Sequence, residues 1–174
     1  QAKPHVPLVI EQPPRPAVVE PSPRVVQERQ KPLFTDMPDS HLPQIGLLDE
    51  APLMQEGIPH ETLEMTSRLI EKKLRDFGVE VRVVAAMPGP VVTRYEIEPA
   101  TGGKGSQIVN LAKDLARSLS LVSIRVIETI PGKNLMALEL PNARRQTIHL
   151  SEVLGSNAYH EGRSVLTVGL GKDI

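Results

Sequence analysis

Val79-Glu80-Val81-Arg82-Val83 and Val91-Val92-Thr93-Arg94-Tyr95-Glu96-Ile97, joined through Pro88-Gly89-Pro90, form the stretch from which the fold is read. In the first run valines alternate with Glu80 and Arg82. In the second, Val91, Thr93, Tyr95 and Ile97 alternate with Val92, Arg94, Glu96 and Glu98. A period of two places one set of side chains in a core and the other on the opposite face of a sheet. Proline and glycine between the runs supply turn geometry, so the spacing predicts two antiparallel strands.

Working outward, residues 62–77 carry Leu63, Thr66, Leu69, Ile70, Leu74 and Phe77 at helical spacing, with Glu64, Arg68, Glu71, Lys72 and Arg75 on the other side. This predicts an amphipathic helix opening near Pro59 and stopping at Gly78. Pro99 and the cluster Thr101-Gly102-Gly103-Lys104-Gly105 break the strand pattern. Ser106 is the expected N-cap of a second helix over 107–119, with Ile108, Leu111, Ala112, Leu115, Ala116 and Leu119 on one stripe. Strands are expected at 123–129 and 135–140 around the turn Pro131-Gly132-Lys133-Asn134. An extended piece at 147–150, a helical turn at 151–154 and a last strand at 165–170 complete the order. Helix, strand, strand, helix, strand, strand implies an α+β fold, two helices packed on one face of a mixed or antiparallel sheet. Phe77 and Tyr95 are expected in its core.

The 174 residues are unevenly composed: twelve of the seventeen prolines precede Glu61, and residues 1–55 show neither helical nor strand periodicity. Proline removes backbone donors and biases its predecessor to extended conformations, so residues 1–55 read as a disordered, solvated, polyproline-like linker ahead of a domain over 60–174. No cysteine occurs, which excludes disulfides and thiolate metal sites and fits a reducing compartment. No run reaches the roughly 18 to 20 apolar residues a membrane-spanning helix needs. The net charge is −1, with five Lys/Arg against eight Asp/Glu through His60 and fifteen against thirteen beyond it. Composition alone would not suggest nucleic acid.

Motifs exclude more than they assign. No Gly-x-x-x-x-Gly-Lys-Ser/Thr phosphate loop occurs, so no ATP hydrolysis is expected of these residues. Gly169-Leu170-Gly171-Lys172 lacks both the earlier glycine and the following hydroxyl. Gly102-Gly103-Lys104-Gly105 before a helix admits a phosphate contact, or simply a turn that needs positive φ. The five histidines lack ligand spacing and the carboxylates form no acid/base pair, so neither a metal nor a catalytic residue is expected. With two Tyr, two Phe and no Trp, a stacking platform for single strands is not indicated. The candidate phosphate contacts are Arg144, Arg145, Arg94, Lys104, Lys113 and Arg117, with Arg125 beside them. Each has the alternative of a solvated face, Arg117 pairing with Asp114 and Arg94 with Glu96.

Four ordered signatures carry a resemblance: Pro88-Gly89-Pro90-Val91-Val92-Thr93-Arg94-Tyr95-Glu96, Asp114-Leu115-Ala116-Arg117-Ser118-Leu119-Ser120, Ile130-Pro131-Gly132-Lys133, and Leu138-Glu139-Leu140-Pro141-Asn142. Over residues 62–174 the chain resembles the FtsK/SpoIIIE family of DNA translocases, in the alpha domain next to the ATPase core. The resemblance implies a non-catalytic, ring-forming tier of a homo-hexameric motor that moves double-stranded DNA in chromosome segregation at cell division. It implies that ATP and Mg bind a separate ATPase domain of the same polypeptide. It further implies a membrane anchor upstream of the linker, a link to the division machinery, and a position on the cytoplasmic side of the bacterial inner membrane. Two other readings stand beside it: an RNA-binding module of the KH type, from the Gly-x-x-Gly loop, and an oligomerising scaffold that touches no nucleic acid.

Overall fold

The computed structural model describes residues 9–10, 45–51, 57–162, 164 and 166–172; most of the expected linker lies outside the described residues. The chain divides into two units, one of residues 1–13 and 56–146 with 174, the other of 14–55 and 147–173.

The first unit holds β1 (Val9–Ile10), α1 (His60–Asp76), β2 (Val81–Pro88), β3 (Val92–Pro99), α2 (Gly105–Ser118), β4 (Arg125–Ile127) and β5 (Met136–Pro141). Its five-stranded sheet runs in the order β1-β2-β3-β5-β4. β2, β3, β5 and β4 pair antiparallel, and β1 joins the β2 edge in parallel. The α+β expectation therefore holds, with both predicted helices and all four central strands in place. One addition comes from the stretch given no fold: Val9 and Ile10 lie in register with Ala85 and Ala86.

One sheet face and the inner sides of α1 and α2 make the core. Leu63, Ile70 and Leu74 from α1, Ile108 and Leu115 from α2, and Val83, Ala86, Tyr95, Ile97, Met136, Leu138 and Leu140 from the strands form one buried cluster. Three positions in or directly after α1 depart from the predicted stripe, and the first, Leu69, is 42% exposed rather than buried. Ser67 is buried and donates its hydroxyl to the Leu63 carbonyl at 2.8 Å, so a small polar residue passes inside without an unmet donor. Phe77, expected in the core, closes the helix as its C-cap and is 39% exposed. The pairing of β2 with β3 slips between Val83 and Ala85, and at this irregularity the Val83 amide donates to Glu71 Oε1 at 2.8 Å.

Both helices end on the same hydrogen-bond pattern. Gly78 (φ 78°) follows α1, with Gly78 N–H donating to Arg75 O and Val79 N–H to Leu74 O. Ser120 (φ 56°) follows α2, with its N–H donating to Arg117 O and Leu121 N–H to Ala116 O. This helix stop needs a left-handed residue, which glycine adopts freely and serine only against its Cβ. Ser120→Gly relieves about 1 to 2 kcal/mol of left-handed strain and loses about 0.4 to 1 kcal/mol to unfolded-chain entropy, a net gain read as a higher urea midpoint at unchanged slope. Ser106 is not the N-cap: α2 begins at Gly105, two residues before the expected start, with Lys104 as N-cap and no side-chain cap.

Tyr95 is 3% exposed, as its alternation required. Burial pushes its hydroxyl above the ordinary value of 10, a hydrogen bond with Thr66 opposing the shift. The unfolded chain thus loses this proton first, and stability that is complete below pH 10 declines as pH rises beyond it. Chemical denaturation at pH 9 and 11 should show the decline in the wild type and less of it in Tyr95→Phe.

The second unit holds a 3-10 turn (Ile45–Leu47), α3 (Leu150–Leu154) and α4 (Asn157–His160). Ser151 Oγ donates to Asp49 O at 2.6 Å, and Tyr159 OH to Thr167 O at 3.3 Å. The helical turn expected at 151–154 is present as α3, and residues 147–149 are coil, with His149 extended. The strand expected at 165–170 is absent among the described residues: 166–170 pair with nothing as a strand, and Leu166, Val168 and Leu170 are 83%, 73% and 96% exposed. Alternation alone does not make a strand without a neighbour to accept its amides.

Candidate nucleic-acid interface

On the sheet face opposite the helices, two of the predicted cations form ion pairs. Register sets Arg94 of β3 and Arg125 of β4 directly opposite Glu139 of β5, one on each side. Arg94 Nη2 reaches Glu139 Oε1 at 2.9 Å and Arg125 Nη1 reaches Oε2 at 3.4 Å, while Glu139 is 8% exposed. Lys133, held by the turn Ile130-Pro131-Gly132 with Gly132 at φ 78°, places Nζ 2.8 Å from Glu96 Oε2. Arg82 pairs across the strands with Glu98 at 2.6 Å. The pairs of Arg94, Arg125 and Arg82 are cross-strand pairs, in which neighbours directly opposite approach more closely than positions i and i+2 of one strand. The expected Arg94–Glu96 pair therefore yields to Arg94–Glu139.

Arg144 and Arg145 sit differently. Both are exposed, in the loop that leaves β5. Asn142 clamps that loop onto the β2–β3 turn: its Nδ2 donates to Gly89 O at 2.8 Å, its N–H to Val91 O at 2.9 Å, and Thr93 Oγ1 donates to its Oδ1 at 2.7 Å. Gln146 N–H then donates to Pro90 O at 2.8 Å. The span Ala143-Arg144-Arg145 is thus pinned at both ends, which restricts its backbone and lowers the ordering cost of an anion contact. Two of the sequence signatures, Pro88–Glu96 and Leu138–Asn142, meet in this clamp. Sequence reading singled out the arginines and missed Asn142; a Pro-Asn pair directly after a strand was the available signal.

A second cluster lies on α2. Asn110, Lys113 and Arg117 fall at helical spacing on its exposed side and border an open groove of about 970 Å³ with Ser120, Val122 and Ser123. Arg117 Nη2 holds Asp114 Oδ1 at 2.6 Å, as expected, with both side chains well exposed. Such a pair is worth at most about 1 kcal/mol and exchanges readily. Lys113 is exposed and has no carboxylate partner among the described residues.

Lys104 is exposed at the start of α2, and Gly102 (φ 86°) and Gly103 belong to the turn before it. Gly103 N–H donates to Ala100 O at 2.8 Å, and a Cβ on Gly103 would stand 3.0 Å from that oxygen. The glycines are thus required by the turn itself. The loop joins a strand to a helix, a different setting from the helix-to-helix loop of a KH module. Among the described residues no cluster of three or more His, Asp or Glu side chains could hold a metal, and no helix is long and apolar enough to cross a membrane.

The arrangement offers an exposed arginine pair on a pinned loop and a helix face carrying Lys113 and Arg117, groups able to bind phosphate oxygens. Comparison with known proteins adds a family: the one described as "FtsK alpha domain" matches residues 42–142. The chain is 70% identical over 92% of its length to "DNA translocase FtsK 2" of Ralstonia nicotianae. It is 52% identical over 97% of its length to "DNA translocase FtsK" of Pseudomonas aeruginosa, and 57% identical over 77% to "DNA translocase FtsK 1" of Neisseria meningitidis. It spans about a fifth of the length of these curated relatives, covering 20%, 21% and 16% of them respectively.

Proposed function

The chain belongs to the FtsK alpha domain family, and from that membership we propose that it is the non-catalytic, duplex-facing part of an ATP-driven DNA translocase. In this reading the domain assembles with copies of itself into a hexameric ring around double-stranded DNA. A separate ATPase domain of the same polypeptide binds ATP and Mg and supplies the stroke. The proline-rich segment ahead of the domain connects it to a membrane anchor, on the cytoplasmic side of the inner membrane, where the protein serves chromosome segregation at division. The observation that carries the reading is the family match, supported by relatives whose names specify DNA translocation.

The described cations suit such a task. A moving ring needs contacts that hold the backbone and release it, and phosphate contacts are independent of sequence and sensitive to salt. Exposed arginines on a pinned loop meet both needs without a strongly basic surface, which reconciles the near-neutral charge with a DNA partner. On the reverse sheet face, Arg94 and Arg125 are joined to Glu139 by ion pairs.

The test is duplex binding by the domain at several salt concentrations and on several sequences. Weak binding that falls steeply with salt and ignores sequence supports the reading; a preference for single-stranded RNA would favour the KH alternative, and no binding at any salt the scaffold alternative.

A further inference from the structure

Among the described residues of the proline-rich segment, Val9–Ile10 is the part that joins the sheet. We propose that the outer edge of β2 is a strand-docking site for this chain's own Val9–Ile10, a releasable latch that fastens the proline-rich segment to the domain.

The edge is suited to the role. Without β1, β2 would end the sheet and present unpaired amides and carbonyls, the usual template for an added strand. At the docking point β2 carries Ala85 and Ala86, both buried, and β1 meets them in parallel register, Val9 opposite Ala85 and Ile10 opposite Ala86. Val and Ile are branched at Cβ and favour extended backbone. Pro7 on one side and Pro13-Pro14 on the other lack the donor a longer ladder requires, so the sequence limits the docked strand to a short piece. A short strand that closes a long loop is held weakly, and this makes the contact reversible.

The consequence is mechanical. When latched, a pull from upstream of Val9 reaches β2 directly instead of passing through the intervening chain to α1. When released, that direct route is lost.

The chain has no cysteine, so paired substitutions report on the latch cleanly. Under mild oxidation of the 174-residue chain, V9C/A85C should close within one molecule about tenfold faster than V25C/A85C, whose partner lies elsewhere in the same segment. Both variants share the change at Ala85, so any disturbance there cancels in the comparison. Equal rates would overturn the proposal. A disulfide joining two molecules, seen as a doubled mass on a non-reducing gel, would also overturn it by giving the edge to a second copy. In parallel, Ile10→Pro should speed amide exchange of β2 around Ala85 and Ala86 about tenfold while β3 stays protected; unchanged exchange would count against the latch.

Discussion

Leu115→Asp should abolish the cooperative unfolding transition of the first unit. Leu115 is 0% exposed, on the side of α2 that faces the buried cluster. Removing its side chain alone would cost about 2 to 5 kcal/mol, and a carboxylate buried with no partner adds a further penalty of several kcal/mol. Together these reach the roughly 5 to 15 kcal/mol of a whole domain. Val122→Asp, at a position 94% exposed, should leave the transition where it is. Circular dichroism during urea titration reads both. A retained transition in Leu115→Asp would mean that α2 packs with a different face than the one described.

Arg144→Ala with Arg145→Ala should weaken duplex binding and flatten its salt dependence. Losing two phosphate contacts lowers the slope of log affinity against log salt by about 1.8 per engaged subunit, a difference of about tenfold across 50 to 200 mM salt. Asn142→Ala keeps both charges but removes the side-chain bonds to Gly89 and Thr93. It should lower affinity while leaving the slope near wild type, because the arginines remain and only their ordering cost rises. Lys113→Ala with Arg117→Ala should also flatten the slope if the exposed face of α2 meets the duplex. Fluorescence anisotropy on a labelled duplex distinguishes the three. An unchanged slope in the double arginine variant would remove that loop from the DNA path.

Much of the fold was legible because the strong signals were local. The period of two in β2 and β3 and the helical stripes of α1 and α2 place the elements within a few residues of where they lie. Errors arose where tertiary neighbours decide. Leu166, Val168 and Leu170 alternate as a strand would, yet no described strand lies beside them. Phe77 continues the stripe of α1 on paper, but the helix has ended there and the ring remains partly exposed. Arg94 had Glu96 two residues away in sequence and found Glu139 across the ladder, because register brings β5 alongside and no local pattern records register.

The candidate site divides along the same line. Arg144 and Arg145 were visible as adjacent charges in a polar connection. The clamp that makes them a defined feature was not, since it depends on Asn142 meeting Gly89 and Thr93 from another part of the chain. Ser120 in the left-handed region was equally hidden: glycine announces such a position and serine does not.

The most direct test of the central claim is duplex-stimulated ATP hydrolysis by a polypeptide joining this segment to its proposed ATPase domain, compared with the same polypeptide lacking residues 57–146. The proposal predicts that stimulation by duplex requires the segment and disappears without it. Equal stimulation of both polypeptides would contradict it and leave the domain without a part in DNA translocation.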